Sequence, residues 1–324
     1  MGTVRAPVVV FVPAFPINLT PLWVALDKGF FREEGLEVEV AAVFRAPGEH
    51  PRFQWRREGR LVFASPCGSG PFRSILEGRD RSDQEINVLS VARHTAHVLV
   101  VRPEIADHAA LRGRRIGADF KGGSGIDAKI ALRHFGVDPA ELTWVDSRGQ
   151  PPDTERYRLA LFDRGELDAV CCDPPHWNEA VAMGGRRLTS ARDLLELPEA
   201  GIGTSPEVIE RHPDVVRGMV RAVLRGVEFA RQNREETLDC VLRHDPRMTR
   251  ERAAEVWTIC HDDWVPPTTP GPYERKVEIY TREWNLPPRP IHAYYNFTFL
   301  KEAMHDLRLL RSWDPALDAA PAAV

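Results

Sequence analysis

Up to about residue 200 the chain alternates short β-branched runs with segments of helical period. Residues 8–12 (Val-Val-Val-Phe-Val) are a continuous apolar run. In 36–43 Leu36, Val38 and Val40 alternate with Glu37 and Glu39, the pattern of a half-buried strand. Further strands are predicted over 60–64, 86–92, 98–101, 111–117, 142–145 and 167–172. Between them, Leu22, Trp23, Ala25 and Leu26 mark a helix that Thr20 and Pro21 open and Lys28-Gly29 closes. Helices are also predicted over 71–77, 126–135, 157–162 and 178–183. Beyond residue 200 the pattern turns mainly helical, with 213–231, 250–259 and 297–310 the clearest segments and an Ala/Pro-rich tail after them.

Strands alternating with helices predict an α/β protein with mostly parallel sheets flanked by helices. In such sheets ligands sit beyond the carboxyl ends of the strands. That rule nominates the loops 13–20, 45–55, 65–70, 119–125 and 173–177.

Composition narrows the classes. The 324 residues, 43% hydrophobic, suffice for two domains, and a net charge of −4 gives no basic nucleic-acid surface. No run of about 18 apolar residues is present to span a membrane. The apolar start is about six residues long and broken by Pro7 and Pro13, so it reads as a first strand rather than an export signal, and a cytoplasmic protein is expected, with a periplasmic or cell-surface one the alternative if a signal peptide has been removed. The cysteines number five and follow no regular framework, as expected of free thiols.

The segment Pro21-Leu22-Trp23-Val24-Ala25-Leu26-Asp27-Lys28-Gly29-Phe30-Phe31-Arg32-Glu33-Glu34-Gly35-Leu36-Glu37-Val38-Glu39-Val40 resembles the opening of type II periplasmic-binding-protein-like domains. The closest likeness is to the nitrate/sulfonate/taurine and thiamine-pyrimidine-precursor branch. The stretches 111–117, 165–170 and 205–213 are similar too. The resemblance implies two lobes with a ligand cleft between them: residues 1–98 and 199–312 in the first, 99–198 in the second, and 313–324 as a flexible tail. The family includes transport receptors as well as cytosolic decarboxylases, a desulfinase and pyrimidine synthases, so fold does not decide activity.

Candidate residues follow from the nominated loops. Ser65, Gly68 and Ser69 form a small-residue loop before a helix, able to approach an anion or simply to make a tight turn. Cys67 within it is a candidate nucleophile or acid, although the desulfinase relatives carry their cysteine in the first loop, where this chain has Phe15 and Pro16. Lys121, Gly123 and Ser124 resemble an anion cradle without the spacing of a nucleotide phosphate loop. Asp173, His176 and Trp177 are expected to line the cleft. Adjacent Cys171 and Cys172 point to opposite faces of a strand, so no metal is expected there. Arg52 can grip a carboxylate, Trp55 can stack on a ring and His50 can move a proton. Asn18, Arg93 and His94, with His97 close by, complete the set.

The leading expectation is a cytosolic lyase of decarboxylase or desulfinase type, acting on a small anionic aromatic or heteroaromatic acid. His50, His94 or Cys67 would move the proton, and no organic cofactor is required. The alternatives are the substrate-binding component of an ABC transporter for nitrate-, sulfonate- or pyrimidine-type solutes, whose partner would be a permease, and a non-catalytic cytosolic ligand sensor.

Overall fold

A computed structural model describes residues 7–12, 19–43, 49–65, 68–174, 176–245, 248–309 and 313–318. The candidates Asn18 and Cys67 lie outside these residues. By internal contacts the chain forms two units, one from Met1–Arg93 with Pro198–Val324 and one from His94–Leu197.

The first unit begins with strand β1 (Val8–Val12), helices α1 (Thr20–Asp27) and α2 (Phe30–Glu33), β2 (Val38–Ala42), α3 (Pro51–Arg57), β3 (Leu61–Ala64), α4 (Gly70–Leu76) and β4 (Ile86–Leu89). The second holds β5 (Val98–Val101), β6 (Arg115–Ala118), α5 (Gly123–His134), β7 (Thr143–Asp146), α6 (Thr154–Asp163), β8 (Ala169–Cys172), α7 (His176–Ala182) and β9 (Arg186–Ser190). The chain returns to the first unit through β10 (Ile202–Thr204), followed by α8 (Pro206–Arg211), α9 (Pro213–Gln232), α10 (Arg234–His244), α11 (Arg250–Cys260), α12 (Pro270–Trp284) and α13 (Thr298–Asp306).

Each unit has a five-stranded sheet, ordered β2-β1-β3-β10-β4 and β7-β6-β8-β5-β9. Both sheets are mixed. In each, one strand runs against the other four: β10 is antiparallel to β3 and β4, and β5 to β8 and β9. The reversed strand is the first one laid down after each passage of the chain between units. Strands β1, β3, β5 and β8 are short and buried along almost their whole length, which is why continuous apolar runs announce them. Helix α9 carries Val216, Met219, Val220, Val223, Leu224 and Val227 on a fully buried stripe. No helix among the described residues is long and apolar enough to cross a membrane.

The first unit buries two acids that are tied to glycines. Glu199 pairs with Lys276 at 2.7 Å, both side chains being at most 2% exposed, and a Cβ on Gly68 would lie 2.3 Å from the Lys276 Nζ. Glu85 lies beneath Gly70, where a Cβ would come within 1.9 Å of its Oε1. That oxygen has no hydrogen-bond partner among the described residues. A cavity of about 10 Å³, room for one water, is lined there by Phe11, Arg52, Arg79 and Glu85.

Burial pushes the Glu85 carboxyl up to about 7, against the pull of Arg79 and Arg52. With an ordinary value of 4.5, the folded chain holds one more proton than the unfolded chain between those two pH values. Stability therefore falls as pH rises through this window, by roughly 3 kcal/mol once it is crossed. Glu85→Gln removes that dependence. Its stability relative to the native protein, from denaturant unfolding, is expected to improve between pH 5 and pH 8; a constant difference would contradict the assignment.

Candidate functional site

A dense cluster of ionisable groups stands at one end of the central strands of the second unit's sheet. Val98 pairs with Cys172, so His97 and Asp173 leave the sheet at the same end. Parallel pairing of β6 with β8 brings the loop that starts at Asp119 to that end as well. Helices α5 and α7 begin there, and α6 contributes Glu155 and Arg158 from its first turns.

Two imidazoles are each held by a carboxylate. His97 Nδ1 lies 2.7 Å from Asp127 Oδ2, and His176 Nδ1 lies 2.8 Å from Asp173 Oδ1. Burial pulls the His97 pKa down, but the hydrogen bond and charge of Asp127, helped by Asp173 and Glu155, outweigh it and set the value at about 9. His176 comes to about 9 in the same way: burial opposes, while Asp173, Glu155 and Glu179 prevail. Both rings are therefore cationic at neutral pH. Each pair uses Nδ1 and leaves Nε2–H as the remaining ring donor. Burial favours a neutral Asp173, yet its bond to His176 and the charges of His176, His97 and Arg158 hold it below the usual carboxylate range. Burial pushes Glu155 up, opposed by Arg158.

Arg158, at 1% exposure, connects the parts. Its Nη1 donates to Ser124 Oγ at 2.7 Å and to the Cys171 carbonyl at 2.5 Å, and its Nη2 donates to Glu155. Ser124 Oγ also accepts from the Asp119 backbone N–H at 3.0 Å. The neighbouring glycines make room for these contacts. A Cβ on Gly122 would sit 2.2 Å from Asp119 Oδ2, one on Gly125 2.3 Å from the Asp119 carbonyl, and one on Gly123 2.9 Å from His97 Cε1.

The candidates from the sequence thus take definite places. Asp173 and His176 form the pair just described. Trp177 follows on α7 and packs against the core of this unit. Gly123 faces His97, Ser124 is tied to Arg158 and Asp119, and Lys121 is exposed. His94 is half-buried. In the first unit, His50 caps α3, its Nδ1 accepting from the Arg52 N–H at 3.2 Å while its ring stands edge-on to Phe11. Burial and the charges of Arg52 and Arg79 lower its pKa to about 4, so it is neutral at physiological pH. Arg52 donates to Asp83 at 2.8 Å, beside Arg56 on the same carboxylate, and Trp55 is half-buried on α3. The Ser65 hydroxyl is fully buried and donates to the Gly201 carbonyl, Gly68 backs onto Lys276, and Ser69 precedes α4 without capping it. Arg93 lies against Asp262 and Asp263.

Asp127, Glu155 and Arg158 were not singled out from the sequence. The one available signal was a charged residue placed inside an apolar helical pattern, as Arg158 is between Tyr157 and Leu159.

A sequence profile of NMT1/THI5-like proteins matches residues 16–237. A riboflavin-binding protein, RibY, of Chloroflexus aurantiacus is 25% identical over 236 residues, covering 71% of this chain and 64% of its own length. The taurine-binding periplasmic protein of Escherichia coli is 25% identical over 143 residues, 43% of this chain and 42% of its own. The match thus spans less than two thirds of either relative. Among solved structures, a putative periplasmic sulfonate-binding protein, SsuA, of Methylobacillus flagellatus superposes with a TM-score of 0.72 at 14% identity, covering 98% of both chains. The nitrate-binding protein NrtA of Synechocystis gives 0.71 at 14%, covering 95% of this chain and 90% of its own. The desulfurization enzyme DszB gives 0.67 at 16%, covering 94% and 100%. At these identities the likeness is one of fold, that of the periplasmic binding proteins.

The contact between Gly123 and His97 yields a direct test. In Gly123→Ala the new methyl forces the imidazole away from its place beside Asp127. The His97 pKa, followed by NMR, is expected to fall from about 9 toward its ordinary 6.5. An unchanged titration would show that the close approach does not hold the pair.

Proposed function

Because the chain belongs to the NMT1/THI5-like family, we propose that it is the solute-binding component of an import system and holds a small anionic molecule. The observation that carries this reading is the pair of carboxylate-held imidazoles, His97 and His176, at one end of the central strands of the second unit's sheet. A cationic ring with one N–H fixed by an internal acid has the other N–H to offer. Hydrogen bonds between charged groups are about twice as strong as neutral ones. Two such donors beside a buried guanidinium suit a sulfonate, carboxylate or nitrate better than a neutral solute.

The relatives support the solute-binding role, since a taurine-binding protein and a riboflavin-binding protein match in sequence; taurine's sulfonate suits the proposed donors, whereas riboflavin is uncharged at neutral pH. This reading brings with it a permease partner and a location outside the cytoplasm, in place of the cytosolic lyase expected from the sequence alone. The lyase stands second, supported by the fold likeness to DszB. His50, one of its candidate proton carriers, is engaged as a helix cap and held neutral. Of the nominated ligand contacts, Asp173 acts in this proposal through His176, Ser124 through Arg158 and Gly123 through His97.

Calorimetric titration with taurine, other alkanesulfonates, nitrate and riboflavin tests the proposal. An anionic member of the set is expected to bind and to be recovered chemically unchanged. His97→Gln and His176→Gln should each weaken that ligand by roughly 10-fold or more, the loss of one charged hydrogen bond. Affinity should hold through neutral pH and fall as pH rises past about 9, where the rings lose their charge. Conversion of the ligand would favour the lyase, and unchanged affinity in both variants would overturn the proposed site.

A further inference from the structure

A second constellation stands in the first unit, apart from the candidate site and untouched by the proposed function. Asp27 is the last residue of α1, while Cys240 and His244 lie one turn apart on the same side of α10. One ligand atom from each, a carboxylate oxygen, a thiol sulfur and an imidazole nitrogen, lies within 4.8 Å of the others. His244 Nε2 is 2.8 Å from Asp27 Oδ1. We propose that Asp27, Cys240 and His244 form a binding site for a zinc-like divalent ion that clamps the end of α1 to α10.

The donor set suits such an ion. Zinc takes Cys, His and Asp ligands at about 2.0–2.3 Å in a tetrahedron, and with three protein ligands, as in catalytic zinc sites, water fills the fourth position. Its ligand atoms then lie about 3–4 Å apart, so these three side chains need only small rotations. Cys240 is 2% exposed, which screens the sulfur from solvent. His244 is held in place: its ring stacks on Trp23 at 4.3 Å between centroids and 24° between planes. Asp27 is oriented as well. Arg243 donates to its Oδ2 at 2.5 Å, leaving Oδ1 on the side of His244. The two helices also bring their carboxyl ends to this place, and the partial negative charge of a helix end favours a cation. The other set of potential ligands, Glu155, Asp173 and His176, lies beside Arg158 in the site already described.

Cobalt(II) added to the chelator-stripped full chain reports directly on thiolate ligation. The native protein is expected to develop a near-ultraviolet thiolate-to-cobalt band that saturates at one equivalent and is bleached by zinc. Cys240→Ser should abolish the band. His244→Gln should weaken zinc at least about 10-fold in competition with a chromogenic chelator, and His176→Gln should leave both readouts unchanged. Zinc should raise the melting temperature of the native chain and not that of Cys240→Ser. Circular dichroism establishes that each variant is folded; if Cys240→Ser is not, the band in the native chain and the His244→Gln affinity decide. No band in the native chain, a band that survives Cys240→Ser, or undiminished zinc affinity in His244→Gln would each overturn the site.

Discussion

A guanidinium almost entirely out of water is the constraint around which the second unit is arranged. Removing one partner of a buried charge typically costs several kcal/mol, because the charge left behind has neither solvent nor counterion. Arg158 meets this with three kinds of acceptor: the Ser124 hydroxyl from α5, the Cys171 carbonyl from β8 and the Glu155 carboxylate from its own helix. Those bonds fix where α5 begins relative to the sheet and where β8 ends. They also place Glu155 beside Asp173 and His176. The glycines of the 119–125 loop are the steric counterpart, letting the chain fold over Asp119 and bring the start of α5 against His97. A loop that looks like an anion cradle in sequence is thus first a packing device around the protein's own charges. In the proposed function it bears on the anion through His97, against which Gly123 packs.

The first unit uses the same residue types differently. Asp83 gathers Arg52 and Arg56 around one carboxylate, and Lys276 answers Glu199 under Gly68. Here Arg52, Ser65 and Gly68 from the nominated loops are engaged by internal partners. His50 is neutral where His97 is cationic, and the difference is environmental. Arginines surround the first, and a carboxylate contacts the second.

Much of the fold was legible in the chain. The β-branched runs at Val8–Val12, Leu61–Ala64 and Val98–Val101 are strands, and the long apolar stripe of 213–231 is α9. Elements without a strong period were missed. Strand β9 is Arg-Arg-Leu-Thr-Ser, β10 has three residues, and the Pro-Gly-Pro start of α12 reads as a breaker although it lies in the helix's first turn. The site was legible only as loops. Asp173 and His176 stood out because a strand delivers them to its carboxyl end. Asp127, Glu155 and Arg158 did not, because a charged residue within a helix ordinarily points to water. Only the pairing of β5, β6 and β8 turns them inward together.

Anion binding at this site requires both imidazoles to carry a proton on each nitrogen at physiological pH. Nitrogen-15 NMR of histidine-labelled protein measures this directly. Under the proposed function His97 and His176 are doubly protonated at pH 7.5, lose a proton only near pH 9, and shift their Nε2 signals when an anionic ligand is added. Neutral rings at pH 7.5, or Nε2 signals indifferent to a bound anion, would contradict it.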